Sequence, residues 1–235
     1  MGKKIIASLR SYIGYTLIRS KRKTVGIYIQ RGSVEVRAPL LCPKAEIDKF
    51  VFSKEKWIKN KLALWHEQAE LKQNFTLSYG DTILYRGARF PITAKSGSQA
   101  GFDGKRFYLP TGLDLAHIKD ICIRIYRRLA EIHITERVTE FANQMDVTPT
   151  AVKITGAKKR WGSCSSRKSI NFSWRLILAD DDVIDYVVVH ELAHIKQMNH
   201  SQKFWAVVSD VLPDYKERKA RLRDLQKRLA TEDWG

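Results

Sequence analysis

Cysteine is scarce: three, at Cys42, Cys122 and Cys164, in 235 residues. An odd, widely spaced set excludes a disulfide framework and a cysteine-ligated zinc site, and it suits a reducing compartment. Long apolar runs are missing as well. No stretch approaches the roughly 18 apolar residues that a membrane helix needs. The apolar patch at Ile5–Leu9 is too short for a signal-peptide core, with no small-residue cleavage site behind it. Ile6 stands where N-myristoylation requires Ser or Thr. The expectation is a cytoplasmic protein with no membrane partner. A Gly-rich phosphate loop of the Walker type is also absent, which argues against a standard nucleoside triphosphatase.

Acid is the other deficit. There are 25 Asp and Glu against 42 Lys and Arg, a net charge of +17. The excess is uneven: residues 1–40 hold nine Lys/Arg and one acid, Glu35, and residues 151–179 hold seven and none. Such a balance points to polyanions, nucleic acid among them, or simply to a well-solvated surface. What is present is a globular composition, 44% hydrophobic and 10% aromatic. The length suits one large domain or two small ones.

The texture changes along the chain. Tyr12–Ile18, Thr24–Ile29 and Ser33–Arg37 alternate apolar and polar residues as strands do, and Arg31-Gly32 suits a hairpin turn. A helix is expected over 43–72 and strand texture again over 76–93. The Gly- and Ser-rich stretch 95–105 reads as a loop. From Leu113, apolar residues recur at three- and four-residue steps as far as Met145, one long amphipathic helix. Strands follow at Ala151–Thr155 and Ile170–Leu178, the second a candidate edge strand beside a cleft. The predicted architecture is α+β. A strand-rich N-terminal region, 1–110, precedes a helical domain with a small sheet, 111–235.

Asp180, Asp181 and Asp182 open a further helix, as acids should at a helix N-terminus. Inside it lies His190-Glu191-Leu192-Ala193-His194. Residues four apart share a helix face, so His190 and His194 can bind one ion. Glu191 is rotated about 100° from His190, which puts its carboxylate beside the metal and makes it the candidate general base. A catalytic zinc takes three protein ligands, and His200 is the candidate third. A continuous helix would turn His200 about 240° away from His194. The helix must therefore end, with Asn199 as the residue suited to a left-handed exit and Ser201 as the next cap. His66, His117 and His133 lack any such geometry.

Arg160-Trp161-Gly162-Ser163-Cys164-Ser165, Asp185 to Leu192 around the histidine pair, Asn199-His200-Ser201 and Phe204-Trp205 together resemble the YgjP-like metallopeptidase family, related to the SprT-like and WLM zincins. The resemblance covers nearly the whole chain. It implies a zincin-like catalytic fold and a Zn2+ site of His190, His194 and His200 with Glu191 catalytic. Gln197 stands where metzincins carry Gly, which argues against that group.

Three functions stay open. The first is a zinc metallopeptidase acting on a peptide. The second is a metal-dependent nucleoside triphosphate (phosphoanhydride) hydrolase, with Lys158, Lys159, Arg160 and Arg167 holding the phosphates of a nucleotide. The third is a DNA-associated SprT-like protease. Tyr215, after the third histidine, is a candidate oxyanion donor. The run Lys216–Arg228 reads as a solvated helix face.

Overall fold

The computed structural model describes residues 5–6 and 13–235. Most of the Ile5–Leu9 patch, and the expected strand start at Tyr12, lie outside them. The chain divides into two compact units. One is Met1–Phe75 with Ala230–Asp233, and the other is Thr76–Leu229 with Trp234–Gly235.

In the first unit, β1 (Ile5–Ile6), β2 (Tyr15–Ser20), β3 (Gly26–Gln30) and β4 (Ser33–Pro39) form a sheet in the order β1-β2-β4-β3. Arg31 and Gly32 both have positive φ, 50° and 73°. That is the backbone of the two-residue turn whose twist matches a β-hairpin, and it pairs Gln30 with Ser33 as expected. Alternation along β4 buries Val34, Val36 and Ala38 against Ile47, Val51 and Ile58. The helix expected over 43–72 is two helices, α1 (Lys44–Ser53) and α2 (Glu55–Gln73), broken at Lys54. Ile47, Val51 and Ile58 keep helical spacing across the break, so periodicity does not reveal it.

In the second unit, β5 (Thr82–Tyr85), β6 (Ala88–Lys95), β7 (Gly101–Phe102) and β8 (Phe107–Pro110) pair in the order β5-β6-β8-β7. The long helix α3 (Leu115–Gln144) follows, its N-terminus capped by the Asp114 carboxylate, which accepts the His117 N–H. These strands and α3 share one core. Tyr126 donates its hydroxyl to the Leu84 carbonyl at 2.6 Å, and its ring meets Phe107 and stacks on Trp174. Residue 110, the expected domain boundary, thus falls inside this unit.

Next come β9 (Ala151–Thr155), β10 (Gly162–Cys164) and β11 (Ser169–Ser173), in the order β10-β11-β9. The expected edge strand over 170–178 needs correcting twice. The strand ends at Ser173, whose hydroxyl accepts the Arg175 N–H and opens a 3-10 turn over Trp174–Leu178. It is also the central strand, so the edges are β10 and β9. Trp174, Leu176, Ile177 and Leu178 are all buried, and a fully buried run carries no period to separate strand from turn. Helices α4 (Asp181–Lys196), α5 (Gln202–Val211) and α6 (Tyr215–Arg228) complete an α+β architecture. Among the described residues no helix is long and apolar enough to cross a membrane.

Helix α4 is seated by its acids. Asp180 accepts the Val183 N–H as a cap and pairs with Arg221 of α6. Asp181 receives Arg86, from the β5–β6 turn, and His133 of α3. Asp182 meets Arg221, and Asp185 takes a two-pronged bond from Arg137 of α3 at 2.6 and 2.9 Å. The rest of the helix is apolar nearly all round, with Val183, Ile184, Val187, Val188, Val189 and Leu192 buried. Each such side chain contributes about 1.5–3 kcal/mol of burial. The helix is a rigid platform whose C-terminal half carries the histidine pair.

Candidate metal centre

His190 and His194 lie on one face of α4, as their spacing requires. The helix ends at Lys196, and Gln197 is extended, with φ −140° and ψ 104°. The expected left-handed exit at Asn199 does not occur, since Asn199 is not among the residues of positive φ. Its side-chain oxygen instead accepts the Ser201 N–H at 3.2 Å, an Asx turn that makes the corner by another route. Ser201 then precedes α5 without a side-chain cap bond. The result returns His200 to the pair. Ligand atoms of His190, His194 and His200 lie within 4.8 Å of one another, and the Nε2 atoms of His190 and His200 are 3.0 Å apart. Two nitrogens on one tetrahedral zinc stand about 3.3 Å apart.

Tautomer and protonation are set locally. His194 Nδ1 lies 3.1 Å from the Gln197 carbonyl, which can only accept, so Nδ1 carries the proton and Nε2 is left as a lone pair. Burial, then the neighbouring His194, His200 and Lys219, push His190 down to about 3. Burial likewise lowers His194. Both rings are held in the neutral form, in which an imidazole nitrogen can bind a metal. Phe204 of α5, fully buried, sits among all three imidazoles with ring centroids 4.6–4.9 Å away. Trp205 stacks on His200 and, on Tyr215 at 5.2 Å, links α5 to α6.

Glu191 is buried at 6% exposure, and burial raises it to about 7, opposed by Arg160 and by a backbone N–H bond from Cys164. It lies under β10. A Cβ on Gly162 would stand 2.6 Å from Glu191 Cγ and Oε1, so only glycine lets the strand approach this closely. The chemistry of the donor set, three imidazoles converging beside one buried carboxylate, fits a divalent ion of the zinc class.

Residues 23–225 match the family described as YgjP-like, metallopeptidase domain. The chain belongs to that family. Two solved structures resemble part of it. They are the metallopeptidase zymogens of Pyrococcus abyssi abylysin (22% identity, TM-score 0.38) and Methanocaldococcus jannaschii jannalysin (24%, TM-score 0.35). Each alignment covers 40% of this chain and 95% of the other. No curated protein matches.

The remaining sequence candidates in this YgjP-like chain are dispersed. Lys158, Lys159 and Arg160 lie before β10 and Arg167 in the turn after it, all exposed, so they sit at opposite ends of the strand instead of forming one cluster. Of the four, Arg160 is the one whose charge acts on Glu191. Tyr215 lies against Trp205, which in turn stacks on His200, and its charge acts on Tyr186. His133 is tied to Asp181, His117 to Asp114, and His66 meets Trp65 edge-on. Sequence reasoning missed Gly162 and the Cys164 N–H as the contacts on Glu191. The signal was there in a glycine flanked by small residues beside Trp161, but a hairpin packed for its own sake reads the same way.

Proposed function

We propose that the protein is a zinc metallopeptidase in which His190, His194 and His200 hold the ion and Glu191 is the general base. The observation that carries this is Glu191 itself, a buried carboxylate pinned by Gly162 and the Cys164 N–H one residue from a histidine whose ring is held neutral. When bound, the ion would supply a Lewis acid for the scissile carbonyl and acidify a coordinated water.

The chain's own residues do the rest. Glu191 takes the proton from the attacking water and returns it to the leaving amine, and its raised proton affinity suits both transfers near neutral pH. The Gln197 carbonyl holds the His194 ring, and Phe204 keeps water from the back of the triad. The free cysteines suit a reducing compartment, the cytoplasm. Family membership favours a peptidase over a phosphoanhydride hydrolase, and nothing in that membership points to DNA.

The test is Glu191→Gln. The amide keeps the shape and cannot accept the proton, so zinc content should be unchanged while cleavage of an unstructured protein such as casein falls by about 10²–10⁴-fold. Loss of zinc together with activity, or near-normal cleavage, would remove Glu191 from this role.

A further inference from the structure

Helix α6 carries two kinds of cation. One set is neutralised: Arg218 bonds Asp214 at 2.9 Å, Arg221 bonds Asp180 and Asp182, and Lys227 bonds Asp224. The other set includes Lys216 near the helix start and, four residues apart and therefore on one face, Lys219 and Arg223, which continue the line of Tyr215. Among the described residues none of these has a carboxylate partner. The face of Lys219 and Arg223 is turned toward the metal centre. Lys219 Nζ lies 4.5 Å from the Trp205 ring centroid, and Trp205 stacks on His200 with ring centroids 5.8 Å apart. Arg223 follows Lys219 by one turn on that face.

A third cation stands on the other side. Arg160 precedes Gly162 by two residues, and Gly162 touches the Glu191 carboxylate. Arg160 is exposed and has no carboxylate partner among the described residues. The three histidines and Glu191 are thus flanked by unpaired cations from α6 and from the segment leading into β10. A protein that neutralises Arg218 and Arg221 within hydrogen-bond distance leaves these three open, and an unpaired cation beside a cleft raises the local concentration of anionic ligands.

Resting on the metallopeptidase reading, we propose that the substrates are acidic polypeptide segments, with Asp or Glu side chains flanking the scissile bond and met by Lys219 and Arg223 on one side and Arg160 on the other. A nucleic acid is the less suitable polyanion. On the α6 side the aromatic surface it would stack on is Trp205, and His200, Tyr215 and the Lys219 ammonium already occupy that ring. These residues are specificity determinants and have no part in the proton transfers.

The test uses the full-length zinc-loaded chain carrying Glu191→Gln, so that binding is read without turnover. Two labelled peptides differ only in carrying Glu or Gln on both sides of the expected cleavage site. By fluorescence anisotropy at low salt the Glu peptide should bind roughly five- to tenfold more tightly, a preference that fades as salt screens it. Lys219→Ala with Arg223→Ala, and separately Arg160→Ala, should bring the ratio toward one, and Lys219→Glu should invert it, with zinc content and melting temperature checked in each. The chain with Glu191 intact should show the same preference in kcat/KM. Equal affinity for the two peptides would overturn the proposal even if casein is cleaved in a Glu191-dependent way. A single-stranded oligonucleotide that binds tightly, with no discrimination between the peptides, would overturn it in favour of a nucleic-acid ligand. If casein is not cleaved in a Glu191-dependent way, the peptidase reading fails on its own account, whatever the peptide ratio.

Discussion

Gly162→Ala is the sharpest perturbation of the centre, because it adds one carbon and removes no functional group. The new Cβ would stand 2.6 Å from Glu191 Cγ and Oε1 and 2.8 Å from Cδ, whereas ordinary contact begins at 3.4 Å. Something must move by about 0.8 Å. The strand is poorly placed to retreat. Gly162 is in register with Phe172 of β11, and the Ser173 N–H bonds the Trp161 carbonyl at 2.8 Å. The Glu191 side chain must therefore swing, losing its bond from the Cys164 N–H and its position. A displacement near 1 Å at a reacting group costs about 10²-fold in rate, or roughly 2.7 kcal/mol. His190 and His194 project from other positions of α4, and His200 from the corner after it, so none should feel it. The expected result is kcat/KM on casein down by about two orders of magnitude, with zinc stoichiometry unchanged. Gly14→Ala serves as control, since a Cβ there meets nothing within 4 Å. Activity of Gly162→Ala within threefold of the parent, or loss of zinc together with activity, would refute the reasoning.

Other outcomes follow from the same contacts. His200→Ala should weaken zinc retention markedly in a chelator competition, since two ligands remain on α4; unchanged affinity would exclude His200 from the set. Arg137→Ala breaks a two-pronged bond to the largely buried Asp185 and should cost about 1–2 kcal/mol in urea unfolding, with m unchanged. His133 is held below its usual range by burial and by Arg86, against the pull of Asp181. The unfolded chain therefore takes the proton more readily, and stability complete above about pH 6.5 is lost as pH falls through the His133 folded value. His133→Gln should flatten part of the decline in melting temperature between pH 7 and 5, and an identical slope would show that His133 does not contribute.

Much of this was readable from local pattern. The histidine pair and Glu191 needed nothing beyond helix periodicity, the start of α4 lay in Asp180-Asp181-Asp182, and Arg31-Gly32 made its hairpin. These are interactions between residues a few positions apart, and the backbone geometry that joins them is the same in every helix or hairpin. The corner before His200 was expected, but its mechanism was not, because Asn199 has two ways to turn a chain, and neighbours choose between them. The break at Lys54 and the 3-10 turn after Ser173 were also invisible, since buried apolar residues satisfy several periods equally.

By itself, then, the sequence determined the face of α4 that holds His190 and His194, the offset of Glu191 from it, and the surplus of positive charge. Only the tertiary structure decided what touches that carboxylate and which charges remain open. The approach of Gly162 to Glu191 joins residues 29 positions apart, and no spacing rule encodes the absence of a side chain as a contact. Whether a lysine is neutralised depends on where the aspartates fold to. Arg218 and Arg221 found Asp214, Asp180 and Asp182, and Lys219, one residue from Arg218 but about 100° around the helix, did not.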